Sequence, residues 1–561
     1  MDPDVSPVAD RIFDLLAQLG ADYVRYVPWF PYPKVGVAEL DPPSGGAASW
    51  DFADIEPQLR RFMRATSGHP VVPNFSTQPT WMFSPSSYSY PANPTSVDWG
   101  YPRGTAGQYP NTTQLVADYY GRLLSWLIKG HLIDEFGVVH YNLGETYNIT
   151  LWEVFNEVES EHSFSPPLYT SMYDAVVKSI RSAVSPHEID FVGLALATRD
   201  VDWIEYFLDP LNHDPSALPI NYISFHFYAS CSSRTDPSSY EEFFPAADSF
   251  FLEAQAIAAL RDTKSPHTKL SCDELGVILP NDNDANAPPF PRVYWNAAGA
   301  LYAYVFGHLV TYGYDILGES QLAGVPAVPE WGIVDAQYPS VSLVNWTNGD
   351  GNARFWTLDL LIKHFAAGDN FVKSSVNIPP ESVFCADLPV SIGVASLYCA
   401  DSSAVINDIQ FAAYGTPQGE CTKYTRGACD APNATQYIKE QCIGKNSCSV
   451  VSYPTFGDPC YGTEKRLVIQ ATCSGGAGGN GLPGEKEEVY AQGVVDGKTG
   501  AKKVLLVNKK STVSCVNLPG ANGAISYTID QKTEDGPARK DQLSSEQITL
   551  DPFAVSVIYL N

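Results

Sequence analysis

The sequence is poor in charge, and basic residues are the scarcer kind. Only 17% of its 561 residues are charged, and 63 Asp and Glu stand against 35 Lys and Arg, a net charge of -28 at pH 7. Such a chain is repelled by nucleic-acid backbones and by anionic membrane surfaces, so neither a nucleic acid nor a membrane is expected as a partner. No uninterrupted apolar run reaches membrane-spanning length. The field says less about sugars, because a neutral glycan does not feel it and an anionic one can meet a local basic pocket. The 11 cysteines lack the spacings of paired zinc ligands. The opening Met1-Asp2-Pro3-Asp4 has neither the basic nor the apolar stretch of a secretory leader.

What the chain has is core. It is 44% hydrophobic, and at this length two to four domains are expected. Eight of its cysteines fall between Cys385 and Cys473, and glycosylation sequons begin at Asn74, Asn111, Asn148, Asn345 and Asn433, with Asn74 and Asn345 in apolar runs suited to burial. Together these point to an oxidising, glycosylating route: secreted, extracellular, or in a lysosome- or vacuole-like compartment.

Helices and strands alternate through the first two thirds. Ile12, Phe13, Leu15, Leu16 and Leu19 follow helical spacing and Gly20 supplies a stop. Strands are expected at 23–29, 71–76, 150–157, 190–195, 222–228, 268–276 and 314–317, separated by helices near 55–65, 113–128, 169–184, 250–261 and 295–310, with a last helix at 355–365. Alternation of this length implies a parallel sheet closed as a barrel. The strands number seven where the expected fold, a (β/α)8-type TIM barrel, has eight, so either the first strand lies before Met1, which would also account for the missing leader, or an unrecognised segment closes the barrel.

The strand Thr150-Leu151-Trp152-Glu153-Val154-Phe155-Asn156-Glu157 is apolar and β-branched yet ends in an amide and a carboxylate, which a strand end tolerates where it opens into a polar site. In a parallel barrel the carboxyl ends of the strands form the mouth. A second carboxylate suits Glu274, in Leu270-Ser271-Cys272-Asp273-Glu274-Leu275-Gly276. Two carboxylates about 5 to 5.5 Å apart can perform retaining glycoside hydrolysis, one as nucleophile and the other as acid and then base. Trp-Glu-Val-Phe-Asn-Glu resembles the Asn-Glu strand of clan A glycoside hydrolases, most like family 39. The resemblance implies that Glu157 is the acid/base, Glu274 the nucleophile, and Asn156 a ligand of the hydroxyl beside the reacting carbon. It also pairs the mid-strand Arg25 with Glu274 and sets Tyr228 against the nucleophile.

His226 shares a strand face with Tyr228 by period two, as a site residue or a core histidine. Trp81 follows a strand and is a candidate stacking platform. Many clan members carry Trp at the end of the last strand, where this chain has Gly318-Glu319-Ser320-Gln321, making Glu319 a candidate substrate contact. Val158 stands where family 39 commonly has Pro. Cys272 reads as inert core.

Residues Cys399–Cys473 resemble the galactose-binding lectin domain of sea-urchin egg lectin, also found at the end of plant β-galactosidases. The likeness rests on Ile409-Gln410-Phe411-Ala412-Ala413-Tyr414-Gly415, on Cys442-Ile443-Gly444-Lys445-Asn446-Ser447-Cys448, and on Phe456-Gly457-Asp458-Pro459-Cys460-Tyr461-Gly462-Thr463-Glu464-Lys465. It implies lectin-site candidates Tyr414, Asp458, Gly462, Thr463 and Lys465, while Gln410 and Thr416 replace a Glu and an Arg of related lectins. The expected layout is a catalytic barrel at 1–370, the start of a β-sandwich or a connector at 371–398, an inserted lectin-like domain at 399–474, a glycine-rich linker at 475–488 and a C-terminal β-sandwich at 489–561. The expected function is retaining, exo-acting hydrolysis of a carbohydrate substrate. A second glycan is expected at the lectin-like domain, and no metal or organic cofactor is required. The alternative is a secreted glycan-binding protein with an inactive barrel.

Overall fold

The computed structural model describes residues 8–560 except 30, 84–87, 95, 97, 103–110, 143, 283, 285, 286, 324–339, 346, 347, 375–383, 389–393, 400–402, 420, 453, 454, 462, 475–477 and 481–487. The chain opens with α1 (Ala9–Leu19), whose Ile12, Leu16 and Leu19 are buried at helical spacing; Gly20, at φ 58°, ends the helix in the left-handed conformation that glycine adopts most readily. Then come β1 (Val24–Tyr26), α2 (Glu56–Ala65), β2 (Val71–Pro73), α3 (Thr112–Lys129) and the hairpin β3 (His131–Ile133) and β4 (Val139–Tyr141), which the sequence reading did not anticipate. The alternation continues through β5 (Leu151–Glu153), α4 (Pro166–Val184), β6 (Asp190–Leu196), α5 (Val201–Leu208), β7 (Tyr222–Ala229), α6 (Phe243–Lys264), β8 (Lys269–Val277), α7 (Val293–Thr311), β9 (Ile316–Glu319) and α8 (Ala353–His364).

All seven expected strands form. β1 and β2 pair in parallel, and β5-β6-β7-β8-β9 make a second parallel sheet in chain order. Parallel strands joined by helices bury both faces, which accounts for near-continuous apolar runs such as Phe191–Leu196. Gly318 permits β9 to lie close to β8, because a Cβ there would meet the Asp273 carbonyl oxygen at 2.6 Å. Among the described residues β1 pairs with β2 and β9 with β8, but β1 and β9 do not pair with each other. Between them runs a cavity of about 1130 Å³, lined by apolar residues of α1, α7 and α8 and opening upward onto Arg25, Asn156, Glu157 and Glu274.

After α8 come β10 (Asn370–Val372), β11 (Phe384–Leu388), β12 (Val394–Cys399), β13 (Ile406–Gly415), α9 (Ala434–Cys442), β14 (Ser447–Val451), β15 (Arg466–Cys473) and β16 (Gly478–Asn480). β11-β15-β13 and β14-β12-β16 are two three-stranded sheets. This differs from the expected layout: β11 lies within 371–398, yet it hydrogen-bonds along β15, and Cys385 on it is bonded to Cys421. Phe384 and Ala386 are buried in that small core, so the apolar face of β11 draws it there.

The last strands are β17 (Val489–Val495), β18 (Lys502–Asn508), β19 (Ser514–Asn517), β20 (Ile525–Ile529), β21 (Arg539–Gln542), β22 (Gln547–Leu550) and β23 (Val555–Leu560). A six-stranded sheet runs β10-β17-β18-β23-β20-β21, and β19 pairs with β22. β10 and β17 are therefore neighbours in one sheet although the cysteine-rich segment separates them in sequence. Tyr490 of β17 packs on α7, where Gly307 leaves room: a Cβ there would lie 2.4 Å from the Tyr490 hydroxyl.

Four disulfides link Cys385–Cys421, Cys399–Cys473, Cys429–Cys460 and Cys442–Cys448, while Cys231, Cys272 and Cys515 are free. The eight clustered cysteines thus pair among themselves, as expected. Of the sequons, Asn111, Asn148 and Asn433 are exposed, whereas Asn74 is buried with its amide bonded to Glu153, so the structure removes Asn74 as a glycan acceptor. No described helix is long and apolar enough to cross a membrane. A thiol reagent is expected to modify Cys515 in the native protein and Cys231 and Cys272 only after unfolding. Peptide mapping should find the other eight protected until reduction; labelling of any of them in unreduced native protein would contradict the pairing.

Candidate active site

Arg25 lies in β1, with its side chain 12% exposed. Its Nε meets Glu153 Oε2 at 2.5 Å and Asp273 Oδ2 at 3.1 Å, its Nη1 meets Glu274 Oε1 at 2.5 Å, and its Nη2 donates to Asn156 Oδ1 at 2.7 Å. β5 with the segment that follows it, and β8, are thereby tied to one cation on β1. Glu153 also accepts from Ser224 Oγ and Asn74 Nδ2, both at 2.7 Å. Burial pushes the Glu153 carboxyl up, but Arg25 and these donors outweigh it and hold the group below its ordinary range. Asp273 lies on the other side of that balance: burial and the neighbouring Glu153 charge raise it well above its ordinary value, so it keeps the proton that Glu153 gives up.

Asp273 and Glu274 are consecutive, and strict alternation would send them to opposite faces. The β7–β8 register shifts between the pairs Phe225–Cys272 and His226–Glu274, leaving Asp273 as the extra residue of a bulge. Both carboxylates therefore turn toward Arg25.

Glu157 and Glu274 face each other at the mouth of the cavity. One oxygen of each, with a ring nitrogen of His226, fall within 4.8 Å of one another. His226 Nδ1 is 3.1 Å from Glu157 Oε1 and 3.5 Å from Glu274 Oε2. Burial works against a charged imidazole, but the Glu274 charge and the hydrogen bond to Glu157 reverse it and raise His226 to about 9. The Tyr228 hydroxyl donates to Glu274 Oε2 at 2.7 Å and lies 2.7 Å from Ser320 Oγ. Burial likewise pushes Glu274 up, yet His226, Arg25 and Tyr228 together hold it below its ordinary range, so it is an ionised carboxylate at neutral pH. The three groups Glu157, His226 and Glu274 have the spread of a metal site, but Arg25 and the imidazolium already supply the positive charge that such an ion would bring.

The backbone bends sharply where the acid leaves β5. Phe155 and Glu157 take φ of 67° and 43°, a left-handed conformation that costs a non-glycine residue free energy and is found where function fixes the geometry. Glu157 N is bonded to Ala195 O, and Asn156 N to Ser76 Oγ.

Of the sequence candidates, Arg25, Asn156, Glu157, His226, Tyr228 and Glu274 converge. Trp81 does not join them: it does not line the cavity, and its indole donates to the Glu39 carbonyl. Trp29 and Trp99 line the mouth instead, edge to face at 5.0 Å. Glu319 is turned away, its side chain fully buried in an ion pair with Arg354 at 2.9 Å and raised to about 7 by burial that Arg354 only partly offsets. The sequence reading missed Glu161, which lines the same cavity and accepts from Trp29 Nε1 at 3.1 Å. Its signal was a second acid one helical turn after Glu157.

In the cysteine-rich region Tyr414 is buried against Phe456. Lys465 pairs with Asp458 at 2.8 Å and donates to the Thr463 carbonyl at 2.7 Å. Gly462 lies outside the described residues.

Residues 397–473 match the D-galactoside/L-rhamnose binding SUEL lectin domain. Over 79 residues the chain is 46% identical to Beta-galactosidase 6 of Oryza sativa subsp. japonica, covering 14% of this chain and 9% of that protein. Over 102 residues it is 39% identical to Beta-galactosidase 8 of Arabidopsis thaliana, covering 17% and 12%. The chain thus spans about a tenth of the length of these relatives. In overall fold it is similar to the GH51 alpha-L-arabinofuranosidase of Thermotoga petrophila RKU-1 (TM-score 0.51, 12% identity, 100% of this chain and 92% of that one). It is also similar to the alpha-L-arabinofuranosidase of Thermotoga maritima (0.50, 12%, 99% and 92%). At such identity the likeness is one of fold.

Two outcomes follow from this geometry. Arg25→Met leaves the ionised Glu153 and Glu274 without their cation and should lower unfolding free energy by about 3–5 kcal/mol in denaturant titrations; a loss under about 1 kcal/mol would contradict the network. His226 is raised in the folded state, so its stabilising contribution is complete below pH 6.5 and lost as pH rises through about 9. The stability gap between wild type and His226→Gln should therefore be wider at pH 6 than at pH 9.5.

Proposed function

We propose that the protein is a retaining O-glycoside hydrolase whose nucleophile is Glu274 and whose acid/base is Glu157. The observation that carries this reading is the convergence of an ionised Glu274 and of Glu157 within 4.8 Å at the carboxyl ends of parallel strands. Glu274 attacks the anomeric carbon while Glu157 passes its proton to the departing oxygen, giving a covalent glycosyl ester. Glu157, now a carboxylate, then takes a proton from the water that cleaves the ester. Arg25 and Tyr228 keep Glu274 ionised and aimed, and Asn156, held by Arg25, faces the hydroxyl next to the reacting carbon. The charge balance needs no metal ion. The strand motif resembles family 39 while the similar structures include family 51 enzymes, so the proposal is made for the clan.

The architecture that fits this reading is a (β/α)8-type barrel in which the slot between β1 and β9 is the eighth place. The sheet containing β10 and β17, with β19 and β22, is read as a C-terminal β-sandwich, and the lectin-like region, from β11 through β15, as an insertion in it. That region, through the surface around Asp458, Thr463 and Lys465, is a second place for a glycan, on a secreted or vacuole-like route.

Glu274→Gly should lower turnover of activated aryl glycosides by about 10³-fold or more, with azide restoring activity as the glycosyl azide of inverted configuration. Glu157→Ala should lose about 10²–10⁴-fold on substrates with poor leaving groups and much less on activated ones, with azide giving the retained product. Full wild-type turnover by either variant would overturn the assignment.

A further inference from the structure

We propose that the glycone this site accepts is neutral, and that Glu161 sets this preference by fixing Asn156 and accepting a sugar hydroxyl; the inference rests on the hydrolase reading above. The first support is charge. The described residues lining the cavity include eight Asp and Glu, of which Asp282 and Glu319 are paired with Arg234 and Arg354, but a single Lys or Arg, which is Arg25. That cation is spent: Glu153, Asp273, Glu274 and Asn156 occupy all of its nitrogens. The His226 imidazole is fully buried and turned to Glu157 and Glu274. A sugar carboxylate entering here meets the ionised Glu274 and finds no free positive group among the described residues. A hydroxyl, an amide or a bare ring carbon brings no such repulsion.

The second support is the placement of Glu161. Its backbone N–H is bonded to the Glu157 carbonyl at 2.7 Å, so its position follows directly from that of the acid/base. The residue is 7% exposed. Trp29 Nε1 donates to Oε1, and the Asn156 side chain is bonded to the same carboxyl. Because Arg25 Nη2 occupies Asn156 Oδ1, the amide nitrogen is the end that turns to Glu161, and the amide is held from both sides. Burial, with Glu157 and Glu274 nearby, raises Glu161 to about 7, so it retains its proton through mildly acidic pH and can both donate to and accept from a hydroxyl. Trp29 and Trp99 present aromatic edge and face beside it, suited to the C–H face of a pyranose or furanose ring.

The test is kcat/KM on aryl glycosides paired at the exocyclic carbon: glucoside with glucuronide, galactoside with galacturonide, and xyloside as the form lacking that carbon. At least one neutral member should be hydrolysed, with its uronide about 10²-fold or more slower. A uronide turned over as well as its neutral partner overturns the inference. If nothing is hydrolysed the hydrolase reading fails, and calorimetry with the corresponding methyl glycosides decides this inference separately. Binding of the neutral member alone sustains it, and binding of the uronide, or of neither, defeats it. On the best neutral substrate Glu161→Ala should raise KM about tenfold with a smaller change in kcat, and Glu161→Gln should recover most of the loss. Unchanged KM in Glu161→Ala, or a Glu161→Gln variant as impaired as Glu161→Ala, removes Glu161 from the role.

Discussion

Everything at the polar end of the parallel strands depends on one guanidinium. Arg25 is buried among Glu153, Asp273 and Glu274, and it bonds Asn156 as well. A buried cation of this kind is costly to desolvate and is retained only where its partners are well placed. In return it fixes four side chains from β8, from β5 and from the segment that follows β5. A lysine could supply the charge but not the fork: three separate nitrogens divide four partners among them here. The seven strands can be read as a scaffold that delivers partners to this one group.

Much of this was legible because strand alternation is a strong local signal. Acids follow apolar runs just beyond β5 and late in β8, a pattern that points Glu157 and Glu274 to one mouth. Arg25 in mid-strand required a carboxylate, though the sequence reading supplied one partner and the structure has three. His226 and Tyr228 reached the site through plain period two. Trp81 failed because an aromatic after a strand is an equally good packing residue, and the turn carries it toward Glu39. Glu319 failed for a related reason: a carboxylate at a strand end pairs with whichever cation is buried beside it, and Arg354 on α8 is far away in sequence.

The cysteine-rich region teaches the complementary lesson. Its motif residues were recognisable as a set, yet a motif does not separate residues that bind from residues that hold the binders. Tyr414 belongs to the small core, packed on Phe456, while Asp458 and Lys465 form an ion pair nearer the surface. The assignment of β11 to this region rather than to the following sheet turned on burial of Phe384 and on one disulfide, neither of which has a local pattern.

The deepest departure from sequence logic is also the most consequential for the chemistry. Asp273 and Glu274 are neighbours in β8, and by alternation one of them should point away from the site. The bulge at Asp273 turns both toward Arg25, and the two then take opposite protonation states. Asp273 lies deeper, shares its surroundings with the charged Glu153, and stays protonated. Glu274 lies above it, with His226, Arg25 and Tyr228 all favouring its charge, and stays ionised. Had both been charged, Arg25 would face three anions and the repulsion between adjacent carboxylates would lift Glu274 as well. By keeping a proton on Asp273, the fold lets the positive field of Arg25 and His226 act on Glu274, the proposed nucleophile.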